Sequence, residues 1–538
     1  MIRGIVSCLI QLIGGVGLLQ PTPAPQTQIP KHAVTGVVTN SITGEPVRRA
    51  LVQLGGPLQA SCLTGSDGRF HFDDVPEGQV LLSPQKPGFF DAFATQRSEW
   101  TGPNNFFTVD SGKNDFQLKL YPSSRITGHV TDENDEPIEG AMVQVIGELI
   151  QQGRKRWQGG SATITDEEGT FHIDNLVGGR YVLFFAGHWT PPLTLSATQK
   201  VNPPLYYPDA ADHTLAQPID LQPGQEFVAD FHARAERGYR VTARLATVPA
   251  GIQGQSTLTD ATGQTVKFGN VHLDRTNGQI VAEAVPPGSW ILNLVGVDQN
   301  GRNYQARQEF IVDHADIDGL QIPTLTQSTI PVSVNHVAAA PENPSNMDVN
   351  FQALLMASDE SQTGMYPLSA EGDPPELSIQ NVPPGKYKLS VQSQVGECLE
   401  SALYGGIDLT RNELVLDGAG SPQTLALTLS STCSNVKVAI HTNAEAPKGL
   451  PAYVVLVPTS GLAQPIVQGV SLQPPVSLNP EIQFTVPPGT YQVFAFSSLS
   501  NLEYANPEAL RSYPTQTISL DEGQQQDLKV ELIERKEN

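Results

Sequence analysis

The stretch NVPPGKYKLSVQSQ (residues 381–394) returns about a hundred residues later as TVPPGTYQVFAFSS (485–498). The same marker stands at Val75-Pro76-Glu77-Gly78 and Val285-Pro286-Pro287-Gly288, with a degenerate copy at Leu176-Val177-Gly178-Gly179. First positions 75, 176, 285, 382 and 486 are separated by 101, 109, 97 and 104 residues. A near-constant pitch of this kind marks a tandem array of structural units. On each side of the marker, apolar residues fall at every second place, as in FHFDD before Val75 and KYKLSV after Gly385. Period two over four to eight residues means a strand with one buried face. Between two such strands, Pro76, Pro286, Pro383 and Pro487 fix φ, and Gly78, Gly288, Gly385 and Gly489 can take backbone angles that other residues avoid. The marker is therefore a structural corner. An aromatic ring stands two residues past the glycine at Tyr181, Trp290, Tyr387 and Tyr491, with Val80 in the first copy; on the inward phase it reads as core packing.

Further strands frame each corner. Modules one and two open with VTGVVTNSITGEPVRRALVQL and ITGHVTDENDEPIEGAMVQVIG, then turn through SDGRFHF and DEEGTFHI. A closing strand recurs as DFQLKLY, FVADFHARA, IDGLQIPTL, QTLALTLSS and QDLKVELIE. With 48 Gly and 43 Pro, about one residue in six is a turn former, which suits short strands.

The opening strand with its Pro and Gly-Ala, the D-x-x-G-x-F turn and the V-P-P-G-x-Y corner together resemble the carboxypeptidase regulatory-like domain family. The resemblance is specific in modules one and two and at all five corners, and weak through the middles of modules three and four. It implies a transthyretin-like or immunoglobulin-like sandwich, related to starch-binding and collagen-adhesin B-type modules, in a multi-module exported bacterial protein. The expectation is an all-β chain: signal segment 1–20, Pro-rich spacer 21–33, then β-sandwich modules at 34–122, 123–236 (with a loop insertion), 237–325, 326–431 and 432–538. Short joins at Ser123-Ser124 and near Cys433 predict a rod with little hinge freedom.

A formal charge of −23 disfavours nucleic acid and anionic lipid surfaces as partners. Arg3 followed by the apolar stretch Ile5–Leu19 reads as a secretory h-region, too short for a confident span, with a retained anchor as the alternative. Export to the periplasm, cell envelope or exterior follows, with no membrane span after cleavage. In an oxidising compartment Cys398 and Cys433, 35 residues apart, are expected to pair, leaving Cys62 free.

No reaction centre is legible, and no cofactor is expected. The chain lacks H-x-x-E, H-E-x-x-H, G-x-S-x-G and Walker patterns. His232 and His441 precede glutamates by four residues but sit in strand-like runs without a second ligand. His71 and His172 alternate with apolar neighbours and should face solvent. The acidic run TDENDEP (131–137) lacks the glycine and terminal glutamate of a calcium loop and reads as a solvated turn. Binding is the stronger candidate. Sugars stack on exposed rings, and the loop aromatics of module two are Trp157, in the basic GRKRW cluster, Trp189 and the Tyr206-Tyr207 pair. Trp100, in module one, is another loop ring. The sequence thus points to a non-enzymatic exported binding or scaffold protein whose partner is a polysaccharide or an envelope protein. The alternative is a structural or protein-partner module with no small ligand.

Overall fold

The computed structural model describes residues 30–91, 94, 106–112, 114–151, 153–189, 199–249, 251–267, 270–337, 351–358, 364–372, 375–393, 397–417, 422–441, 451–459, 465–471 and 481–535. The expected signal segment, most of the expected spacer and Trp100 lie outside them. The regular secondary structure of the described residues is nearly all strand, and no helix among them is long and apolar enough to cross a membrane.

In module one the opening strand Lys31–Asn40 lies between the strand leading into the corner, Arg69–Pro76, antiparallel to it, and the closing strand Asp115–Pro122, parallel to it. The same arrangement surrounds Ser124–Thr131, Tyr239–Leu245, Ser328–Val337 and Ser434–His441. Parallel neighbours cannot be joined by a tight hairpin, so the chain crosses to a second sheet between them. The corner makes that crossing. In module one it delivers Gly78–Gln85 into a sheet ordered Ala60–Leu63, Leu51–Gly55, Gly78–Gln85, Phe106–Val109. Gly36 and Gly128 allow the close approach of the closing strand: a Cβ on either would strike a neighbouring backbone oxygen, of Phe116 or Ala229 respectively.

Module four departs from two separate sheets. Its strand Met365–Glu371 pairs with Phe351–Ala357 through its first residues and with Glu376–Val382 through its last. Nine strands thus form one continuous sheet that still encloses a single core, with Ile330 and Leu427 from one half meeting Leu355 and Tyr387 from the other. Cys398 and Cys433 are disulfide-bonded with Cα atoms 5.9 Å apart, tying the strand Cys398–Tyr404 to the join with module five.

The corners share a construction that the motif only partly announced. Gly78, Gly179, Gly288 and Gly489 have φ of +140°, +153°, +143° and +158°, where a side chain is disfavoured. Four residues after its carbonyl partner, each corner ring closes the turn. The hydroxyls of Tyr181, Tyr387 and Tyr491 donate to the carbonyls of Val177, Pro383 and Pro487 at 2.7, 2.6 and 2.7 Å, and the indole N–H of Trp290 donates to Pro286 at 2.9 Å. These rings pack in the core as expected, and their polar tips also satisfy a carbonyl that the turn leaves without a ladder partner.

The expected extended rod is overturned. Modules two and three share one core, in which Phe184, Val201 and Tyr206 join Leu258, Val266 and Trp290. Backbone bonds cross the same junction, from Lys267 N–H to Ala186 O (2.7 Å) and from Gly238 N–H to Gln199 O (3.0 Å). Module five then folds back onto module two. Ile150, at the tip of the hairpin formed by Met142–Gln151 and Arg154–Ile164, is 1% exposed among Tyr453, Val455, Phe494, Phe496, Leu502 and Tyr504. Ala505 N–H donates to Gly153 O at 2.9 Å. The cause lies in module five's strands: AYVVLV and VFAF are apolar on both phases, and a sheet with two apolar faces must be covered on both.

Candidate functional site in module two

The long hairpin of module two carries the candidate site. Its second strand, Arg154–Ile164, holds the basic cluster, with Arg154 and Lys155 exposed and Arg156 and Trp157 half-buried. Glu148 lies across the ladder from Trp157, and its carboxylate is 3.5 Å from the Lys155 ammonium. The insertion following Phe185 returns over the outward face of this sheet. There the short helix His213–Leu215, capped by Asp212, brings an imidazole against both aromatic residues. Trp157 meets His213 edge-on at 5.6 Å between ring centroids, and Tyr206 meets it at 5.4 Å from the other side. Thr214 donates to the Asp212 carboxylate through its hydroxyl and its N–H, both at 2.7 Å, which holds that carboxyl below the usual range.

Two of the four expected platform residues turn inward. Tyr206 is 3% exposed, tilted against Phe184 with ring centroids 4.9 Å apart, and its hydroxyl donates to the Asp260 carboxylate and lies 2.9 Å from the Thr262 hydroxyl. Burial, followed by the Asp260 charge, pushes its pKa far above that of a free phenol. Tyr206 is therefore a bolt between modules two and three, and its ring offers no face to a ligand. Tyr207, half-buried, packs edge-on against Phe227 (5.9 Å) and Phe231 (6.2 Å) of its own module. Trp189 lies in the two-residue strand His188–Trp189, which pairs with Lys200–Asn202. Lys200–Asn202 in turn pairs with Glu236–Arg237 at the module junction. The structure thus brings Trp157 and Tyr206 together around His213, leaves Tyr207 in a separate cluster, and places Trp189 on the strand beside Lys200–Asn202.

Other sequence candidates resolve simply. His71 and His172 face solvent, His71 with its ring 2.8 Å from Asp73. In the acidic run, Asp132 accepts N–H bonds from Asn134 (2.7 Å) and Glu136 (3.0 Å), which lower its pKa, and Glu133 accepts from Ala235 N–H at 3.0 Å. The Asp132 carboxylate is spent on closing the turn and that of Glu133 on holding the chain at Ala235. Cys62 is half-buried, and burial raises its thiol pKa. No group of three or more metal-ligating side chains gathers among the described residues. The sequence reading missed the hairpin tip. Its signal was Leu149-Ile150 beside Gly153 (φ +70°), where a Cβ would strike the Tyr504 ring.

Comparison with solved structures finds low-identity likenesses. GBS52, the minor pilin of Streptococcus agalactiae, is 14% identical, with 38% of this chain and 96% of that chain covered and a TM-score of 0.21. The shaft pilin SpaA of Lactobacillus rhamnosus GG is 11% identical over 38% and 98%, with a TM-score of 0.20. The Bacillus anthracis TIE protein is 8% identical over 96% and 76%, with a TM-score of 0.17. No curated protein matches the chain. A family model does match, over the stretch that supplies the hairpin, Trp157 and part of the core shared with module three: residues 125–203 match the carboxypeptidase regulatory-like domain.

Proposed function

We propose that this chain is an exported, non-enzymatic scaffold protein that holds its β-sandwich modules in a fixed arrangement and engages protein partners of the cell envelope through the surfaces left free. The observation carrying this reading is the docking of the module-two hairpin into module five, together with the core shared by modules two and three. Apolar side chains that would otherwise recognise ligands are used to fix modules against one another. Support for export comes from the Arg3–Leu19 segment and from the Cys398–Cys433 bridge, which suits an oxidising compartment.

A second reading, carbohydrate binding, keeps one observation in its favour. Trp157 is only half-buried and stands beside the exposed Arg154 and Lys155. The two readings part on a direct test. Purified full-length protein is applied to a glycan array and to polysaccharide affinity gels, alongside Trp157→Ala and Trp189→Ala variants, and the same protein is used as bait in envelope extracts. The scaffold reading expects no glycan retention and specific, glycan-independent protein capture. Retention on a glycan that either tryptophan variant loses would overturn it in favour of sugar binding.

A further inference from the structure

Module three differs from its sister modules at one edge. In modules one, two and five the strand before the hairpin turn pairs, antiparallel, with the second-sheet strand that precedes it: Ala60–Leu63 with Leu51–Gly55, Arg154–Ile164 with Met142–Gln151, and Ile466–Ser471 with Pro451–Pro458. Module four divides that strand between both halves of its sheet. In module three the corresponding strand, Val271–Asp274, has left the second sheet altogether and pairs with Gln279–Val285. The strand Gln253–Thr259 therefore pairs along its length with Gly288–Val297, while its other edge is met only at the end, by the Thr259–Thr265 bridge and the bond from Val266 N–H to Leu258 O (3.1 Å); from Gln253 to Thr257 that edge has no strand among the described residues.

The vacated place is hollow. An open groove of about 510 Å³ runs between the two edges, lined by Gly254, Ser256, Val271, Leu273, Asp274 and Arg275 among others. Register explains it. The residue six past the corner glycine faces Val52, Val143, Ala353 and Val454 in the sister modules, and Ser256 in module three. The next inward residue of the strand is Gly254. The Ser256 hydroxyl is enclosed yet has no hydrogen-bond partner among the described residues. An enclosed unpaired hydroxyl is destabilising until something bonds it. The strand itself, QGQSTLT, has no charge, no proline and no bulge, and so carries none of the usual guards on an open edge.

We infer that module three is a strand acceptor. An extended peptide from a partner protein adds antiparallel to the open edge of Gln253–Thr257 and seats a small side chain over Gly254 and Ser256. The occupant is a β-strand because that is what fills the same place in modules one, two and five. Main-chain bonds would supply affinity and the groove would supply selectivity, as in other strand additions. This goes beyond the scaffold reading and does not depend on the module-two site.

The test uses the full chain and two labelled synthetic peptides copying the strands that occupy this place in sister modules, residues 154–164 and 465–471. At least one should bind by fluorescence anisotropy and slow amide hydrogen exchange in Gln253–Thr257. Ser256→Phe, which fills the groove, should weaken binding by about tenfold or more, a loss of about 1.4 kcal/mol. Ser256→Val, the side chain of three sister modules, should fold and still bind. Three results would overturn the inference: no slowing of exchange in that strand with either peptide, equal binding by Ser256→Phe, or protection of the strand that rises with protein concentration alone, which would give the edge to a second copy.

Discussion

The second sheets of modules one and two begin at the same corner and run for similar lengths, yet they end in different states. In Gly78–Gln85 buried and open positions alternate, and Ser83 faces outward. In Gly179–Phe185 the last five residues are all buried, because Val182 and Phe184 take the outward phase. Module five repeats the second pattern, with Phe494 and Phe496 outward. The corner motif is indifferent to this choice, since it sets the inward phase only. Outward residues decide whether a module stands alone or is built into its neighbours.

The sharpest way to break the comparison is at the fifth residue past the corner glycine, which is Ser83, Phe184 or Phe494. Phe184→Ala and Phe494→Ala should each cost about 3–5 kcal/mol in urea unfolding, whereas Ser83→Ala should stay within about 0.5 kcal/mol. Equal effects would end the distinction. Next in size, Ile150→Ala should cost about 2–3 kcal/mol by withdrawing the hairpin tip from module five. Small-angle scattering should then show a larger radius of gyration, which a purely local cavity would not produce.

The corners yield a smaller effect. Tyr491→Phe removes the bond to Pro487 O and should cost about 1 kcal/mol at neutral pH. Burial pushes the Tyr491 pKa up to about 12, above its value of about 10 in an unfolded chain. The folded state holds that proton more tightly. The resulting stability is complete below about pH 10 and is lost as pH rises toward 12. Module five should therefore weaken in that alkaline window, and Tyr491→Phe should flatten the loss; module one, with Val80 at the place, has no such contribution.

The smallest effect concerns an extra residue in four corners. Asp74, Asn175, Ala284 and Asn381 have φ near +56°, each at a register slip against the opening strand. Inward neighbours such as Ala282 and Val285 are there spaced by three residues, whereas Phe484 and Val486 of module five are spaced by two and their ladder is unbroken. Alanine is the least suited of the four to this backbone. Ala284→Gly should thus stabilise module three by about 0.5–1 kcal/mol, measured by thermal unfolding.

Much of this was legible in the chain. Period two, the Pro-Gly corners and their pitch announced strands, their inward faces and the crossings between sheets. Legibility stopped at partners distant in sequence. Nothing local to Tyr206 distinguishes an exposed loop tyrosine from one buried against Asp260, because burial depends on where residues 54 places further on are folded. The same holds for Ile150, whose neighbours lie some three hundred residues downstream. The bulged corners could have been found by counting, since FHFDDV is one residue longer than IQFTV between its inward places.

By itself the sequence determined the strands, the corners and which face of each strand turns inward, because alternation and turn chemistry act over a few residues. Tertiary structure alone decided which outward faces are covered, that the chain doubles back from module five to module two, and that the third strand of module three changes sheets. Those outcomes depend on competition between surfaces far apart along the chain, where apolar area is buried by whichever partner the fold brings within reach.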